Sequence, residues 1–184
     1  MAEEPSPPTA RQVLAILEPV PGRWVVLPFV VMEQTAMEPG AVELLELGDV
    51  DICGCQWRLR RSTEKGSTSD RARWVQVPGW LMEQIEATFP PLEDREAAMR
   101  VFPGFAVDRA NSAMRRACQT AGIPHFHPYD LRHRRLSLWY AQGVPARELA
   151  ARAGHSKPSM TLDVYSHVLI DKAEIPPLSF LERP

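Results

Sequence analysis

The sequence predicts a mainly helical domain with one small antiparallel β-sheet, an α+β arrangement. Three observations lead there. The 184 residues are 45% hydrophobic and 24% charged, enough for one compact domain with a real core and unlike collagen, coiled-coil or disordered chains. Eighteen prolines, where an average share of about 5% would give roughly 9, favour short elements and many defined turns. Most apolar segments have helical spacing between recognisable caps, whereas residues 49–77 alternate around a turn-rich centre.

Taken in order, residues 1–8 read as a flexible arm, and Thr9 caps a helix over Ala10 to Leu17 that Pro19, Pro21 and Gly22 end. Arg23 to Met37 is too continuously apolar for a surface helix and should be buried, with Pro28 near its first turn. Glu38-Pro39-Gly40 is a break before a short helix over Ala41 to Leu47. Asp49 to Arg61 alternates as a strand, placing Cys53 and Cys55 on one face, and Arg73 to Val77 returns. The turn chemistry of Thr63 to Asp70 makes the two a hairpin with a long tip. Pro78 to Phe89 is a helix, and a further one is expected over Glu93 to Arg100. Asp108 to Gly122, Tyr129 to Gln142 and Pro145 to Ala153 are helices stopped by Gly122, Gly143 and Gly154. Ser159 to Ile170 is the last helix, and Pro176-Pro177 breaks the tail.

The longest apolar run, Trp24 to Met32, is about half a membrane span, and the acidic, Pro-rich start is no secretion signal. Three cysteines cannot build a disulfide framework, which fits a reducing cytoplasm. Neither Cys53-Gly54-Cys55 nor His125 and His127 carries a zinc pattern, so no metal is expected. Net charge is −2, yet residues 1–57 hold two basic groups against nine acids, leaving 21 − 2 = 19 basic against 23 − 9 = 14 acidic groups in the remainder. A basic face opposing a polyanion is compatible with that asymmetry, as is an ordinary solvated surface.

The most informative stretch runs from His127 to His167. Arg132 falls on a helix, His155 follows the helix-ending Gly154, and Tyr165 falls on the next helix. Together these side chains can bind a phosphodiester, manage protons and supply an oxygen nucleophile. The segments Tyr129-Asp130-Leu131-Arg132-His133, Ala153-Gly154-His155 and Tyr165-Ser166-His167 resemble the catalytic domain of tyrosine recombinases, the phage-integrase family. The resemblance extends upstream through Met37-Glu38-Pro39-Gly40 and Asp49-Val50-Asp51 to a lysine-bearing β-hairpin at Lys65 to Pro78.

It covers residues 9–170, without the N-terminal core-binding domain that usually forms the other half of the clamp around DNA. It implies metal-free and cofactor-free strand breaking and rejoining on double-stranded DNA through a 3′-phosphotyrosine at Tyr165. Arg132 would hold non-bridging oxygens, His155 would bond the phosphate, and Lys65 would protonate the leaving 5′ oxygen. His133 is expected to support the site from behind. Arg58, Arg60, Arg71, Arg73, Arg134 and Arg135 are expected to contact DNA, and segment 58–152 should line a basic concavity with the acidic first third behind it. The tail, residues 171–184, is expected to dock in cis or in trans and to couple protomers on DNA.

Two positions depart from the family pattern. The first active-site arginine is replaced by Glu38, and the histidine opening the His-x-x-Arg motif by Tyr129. Either Arg60 or Arg134 is a candidate to fill the gap. The resemblance therefore implies a DNA recombinase with impaired cleavage. The competing readings are an inactive DNA-binding or regulatory relic and a protein-interaction module on the same fold.

Overall fold

The computed structural model describes residues 6–18, 23–59, 73–155 and 171–178. Helix α1 (Ala10–Leu17) starts where the sequence places it, because Thr9 and Gln12 close a capping box: the Gln12 N–H donates to Thr9 Oγ1 at 3.2 Å and the Thr9 N–H to Gln12 Oε1 at 2.8 Å. Helix α2 (Arg23–Thr35) is the buried apolar helix, with Leu27, Phe29, Val30, Val31 and Met32 at 0% exposure. Helix α3 occupies Pro39–Leu44, earlier than the expected Ala41 to Leu47, because Pro39 suits the first helical turn. Leu47–Asp49 is a 3₁₀ turn.

The expected strand over Asp49 to Arg61 is two strands, β1 (Val50–Asp51) and β2 (Gln56–Leu59), separated by a tight turn at Ile52 to Cys55. The Asp51 carboxylate accepts from the Gly54 N–H and from the Gln56 amide, both at 2.9 Å, and so reverses the chain. With β3 (Arg73–Gln76) these make an antiparallel β1-β2-β3 meander in which Trp57 opposes Val75 and Arg58 opposes Trp74. Trp57, Leu59 and Val75 face the core; Arg58 and Trp74 lie on the outer side.

Helix α4 (Gly79–Glu86) follows. The helix expected over Glu93 to Arg100 is absent: the segment holds a 3₁₀ turn at Leu92–Asp94 and then turns, with Glu46 bridging Arg100. Helix α5 (Val107–Ala121) ends at Gly122, whose φ of +66° is the left-handed cap that glycine adopts without a Cβ penalty. Helices α6 (Pro128–Ala141) and α7 (Ala146–Ala153) complete the described helices. The helix expected over Ser159 to Ile170 lies outside the described residues.

Helix α6 packs across α2 and is buried nearly all round, including Arg132, Arg134, Arg135 and Ser137. Segment 171–178, which has no helix or strand, lies as a strap against α1, α6 and the core. Asp171 accepts from the Ala10 N–H at 3.2 Å, and Ile175 and Leu178 join the core.

Candidate active site

The start of α6 is fixed by its own sequence. Pro128 opens the helix, and the Asp130 carboxylate accepts from the His127 N–H at 2.7 Å. One turn on, Arg132 points inward, with its side chain 1% exposed. Its Nη1 donates to the Ala36 carbonyl and its Nη2 to the Ala153 carbonyl at 2.6 Å. Ala36 adopts a φ of +56° between α2 and α3, which brings that carbonyl to the guanidinium. The Arg132 Nε is buried with no hydrogen-bond partner among the described residues. Arg132 is therefore posed by two helix-end carbonyls and keeps some donor capacity.

The third partner is Glu38. Its carboxylate lies 3.5 Å from Arg132 Nη2, with 36% of its side chain exposed. Glu38 is the N-cap residue of α3, yet its side chain makes no capping hydrogen bond. The acidic first third is thus not wholly behind the site, as the sequence suggested; it contributes a carboxylate to its centre. Glu38 thus offsets part of the positive charge expected at this concavity, where Arg132 and Arg73 remain.

Tyr129, 40% exposed, sits with its ring 5.8 Å from the Arg132 guanidinium carbon and edge-on to His133 at 4.9 Å. Burial holds the His133 imidazole below its usual range, with Arg132 adding to the fall and Asp130 opposing it. His155 follows Gly154, whose φ is +76°, and its N–H donates to the Ala150 carbonyl at 2.9 Å. Burial is the main reason its imidazole also lies below the ordinary 6.5, reinforced by Arg132, Arg73 and His133. Burial and the nearby Arg132 therefore favour the neutral form of both rings. Arg73 reaches from β3 to the Arg152 carbonyl at 2.6 Å, so the end of α7 receives two guanidinium groups, from Arg73 and Arg132.

Arg132, His155, Glu38, Tyr129, His133 and Arg73 are thus brought to one place. Lys65, Tyr165, Arg60 and Arg71 lie outside the described residues. Arg58 stands apart on the outer sheet face, 43% exposed, paired with Asp49 at 3.3 Å.

Arg134 and Arg135 correct the expectation most clearly: neither faces outward and neither fills the gap at Glu38. Both side chains are buried, at 0% and 4% exposure, on the fully buried Glu33. Arg134 pairs with the Glu33 carboxylate and donates to the Ala173 carbonyl. Arg135 meets Glu33 at 3.1 Å and Glu174 at 2.7 Å, and Gln142 donates to Glu174 at 2.9 Å. The two arginines lock the strap to α2. The signal was present in the sequence: Glu33 closes an apolar run expected to be buried, and a buried carboxylate needs cationic partners.

Residues 30–171 match the model of the phage integrase family. Among solved structures the chain is similar to XerA recombinase, at 17% identity and TM-score 0.70 over 91% of this chain and 60% of that one. It is similar to the Tn1549 transposon integrase in complex with transposon right end DNA, at 15% identity and TM-score 0.71 over 93% of this chain and 65% of that one. The catalytic domain of bacteriophage HP1 integrase gives 19% identity and TM-score 0.64 over 89% and 88% of the two chains. These likenesses establish a shared fold, and the chain spans 60% of XerA and 65% of the Tn1549 integrase. No curated protein matches it by sequence. Since the family match takes in most of its length, the chain belongs to the phage integrase family.

Proposed function

We propose that this chain is a tyrosine-recombinase-type domain that binds duplex DNA at the Arg132 cluster and cleaves it poorly. Arg132 and His155 receive the scissile phosphate, and Tyr129 donates a further hydrogen bond from its phenol. Tyr165 and Lys65 enter from the sequence match. The Tyr165 oxygen bonds to phosphorus as its phenol proton passes to solvent, the bond to the 5′ oxygen breaks, and Lys65 supplies the proton to that oxygen. The product is a 3′-phosphotyrosine that conserves the energy of the phosphodiester.

One observation carries the impairment: the Glu38 carboxylate stands 3.5 Å from the arginine that the phosphate must use. A phosphate has to displace it or sit beside it. Two like charges about 5 Å apart repel by roughly 3 kcal/mol at an effective dielectric near 20. An arginine that stabilises a transferring phosphoryl group is worth about 10³–10⁵ in rate, and this chain has glutamate in that place. Ground-state binding suffers less, because other basic groups share it.

The test is a nicked suicide duplex, on which an active chain is trapped as a covalent adduct. Salt-dependent duplex binding with little adduct is expected, and Glu38→Arg should raise adduct yield while Tyr165→Phe abolishes it. Ready adduct formation by the unaltered chain would refute the impairment. Binding with no adduct in any variant favours the regulatory relic, and no salt-dependent binding favours a protein-interaction module. Coupling of protomers on DNA falls to residues beyond 178, since Ile175 and Leu178 are committed to this chain's own core. Truncation at residue 178 should then leave the fold intact and lower cooperativity on DNA.

A further inference from the structure

The turn between β1 and β2 is built from an uncommon combination. The Cys55 N–H donates to the Ile52 carbonyl at 3.1 Å, closing a β-turn in which Cys53 and Gly54 are the central residues. Gly54 is tightly enclosed: a Cβ there would meet the Asp51 carboxylate at 2.3 Å. Cys55 is left with a φ of +47°, a left-handed conformation in which glycine or asparagine is far cheaper than a residue with an ordinary side chain. The residue tolerated in that strained position carries a thiol, and another thiol stands two residues before it on the same turn.

Accessibility separates the three cysteines. Cys53 is exposed, Cys55 half-buried, and Cys118 1% exposed in the core. The Cys55 thiol is held back over the turn, 3.6 Å from the Ile52 carbonyl oxygen. Two Cα–Cα steps of about 3.8 Å each, folded by a β-turn, bring the Cα atoms of residues i and i+2 within the roughly 4.4–6.8 Å span that a disulfide requires.

We infer that Cys53 and Cys55 are a dithiol pair that exchanges with low-molecular-weight disulfides such as glutathione disulfide. The exposed Cys53 thiolate attacks one sulfur of the small disulfide, forming a mixed disulfide and releasing one small thiol. The Cys55 thiolate then attacks the Cys53 sulfur and expels the second small thiol. The protein loses two protons and two electrons, and the small disulfide is reduced to two thiols. Closing so short a ring pulls Cys55 from its present conformation, so the product is a labile, readily reduced bond. The Cys55 carbonyl accepts from the Val77 N–H at 2.8 Å, so the exchange acts at the edge of the β2–β3 pairing. The inference stands independently of DNA cleavage.

The experiment treats the full chain with glutathione disulfide and follows intact mass, with peptide mapping of the product. The expected product is lighter by two hydrogen atoms, keeps one free thiol at Cys118, carries its crosslink within residues 53–55, and returns to the starting mass with excess glutathione. Cys55→Gly, whose new residue suits the positive φ and therefore keeps the turn, should stop at a stable glutathionyl adduct on Cys53. A wild-type chain that accumulates the same single adduct with Cys55 free would overturn the inference. So would no reaction at either thiol, or a crosslink that involves Cys118 or a second copy of the chain.

Discussion

Glu33→Gln should be the most damaging single-atom-scale change in the described structure. The substitution keeps size and shape but removes the countercharge from two guanidinium groups that have little water. The Arg134 side chain is 0% exposed, Arg135 4%, and Glu33 itself 0%. Arg135 retains Glu174, whereas Arg134 is left with the Ala173 carbonyl and a buried Nε that already lacks a partner among the described residues. Breaking one side of a buried ion pair costs about 3–5 kcal/mol, because the surviving charge stays desolvated. Domains of this kind have about 5–15 kcal/mol in total. With a urea slope of about 2 kcal/mol per M, the unfolding midpoint should fall by roughly 1.5–2.5 M. The internal comparison is Glu148→Gln, which breaks the Arg152 pair at 2.5 Å on α7, where the side chains are 40% and 51% exposed. That loss should be at most about 0.5 kcal/mol. Urea titrations of both variants, read by tryptophan fluorescence and circular dichroism, decide the matter. If Glu33→Gln moves the midpoint no further than Glu148→Gln, the reasoning about the buried triad is wrong.

Ile175→Ala should destabilise the chain by about 2–5 kcal/mol, since the side chain is 4% exposed within the main core; a change below about 1 kcal/mol by urea unfolding would show that the strap does not hold the fold. Gly122→Ala should cost about 1–2 kcal/mol from its φ of +66° alone, because nothing lies within 4 Å of the added Cβ, and thermal unfolding checks it. Stability should also fall with acid. His133 and His155 have folded pKa values below the unfolded 6.5, so between the two values the unfolded chain binds more protons and stability rises with pH. Denaturant unfolding at pH 7.5 and pH 5.5 should differ in that direction, and replacing both histidines by glutamine should flatten the difference.

Local chemistry made much of the fold legible in the sequence. Thr9 and Gln12 announce α1, and Gly122 and Gly154 stop α5 and α7, because caps act within one turn of chain. Alternation places Cys53 and Cys55 on a strand and hides a tight turn whose maker, Asp51, acts through its side chain. Glu93 to Arg100 has helical composition, but the Glu46–Arg100 bridge and the Leu47 N–H bond to Met99 capture its backbone. At the site, motif spacing located Arg132 and His155. It could not tell Arg132 from Arg134 and Arg135, since an arginine reads the same whether it meets a phosphate or Glu33. The difference arises only when α6 crosses α2, a contact between residues about a hundred positions apart.

The pose of Arg132 has a genetic side. Its two close acceptors are main-chain oxygens, of Ala36 and Ala153, and no side-chain substitution can delete a carbonyl. The mutational target that could disorient this guanidinium is therefore small, confined to changes that shift the backbone, such as those at Gly154 or at Ala36 itself. Neighbours that touch Arg132 through side chains, Glu38 and Tyr129, have no such insulation. Substitution at those two positions can alter the chemistry of the arginine while its orientation persists.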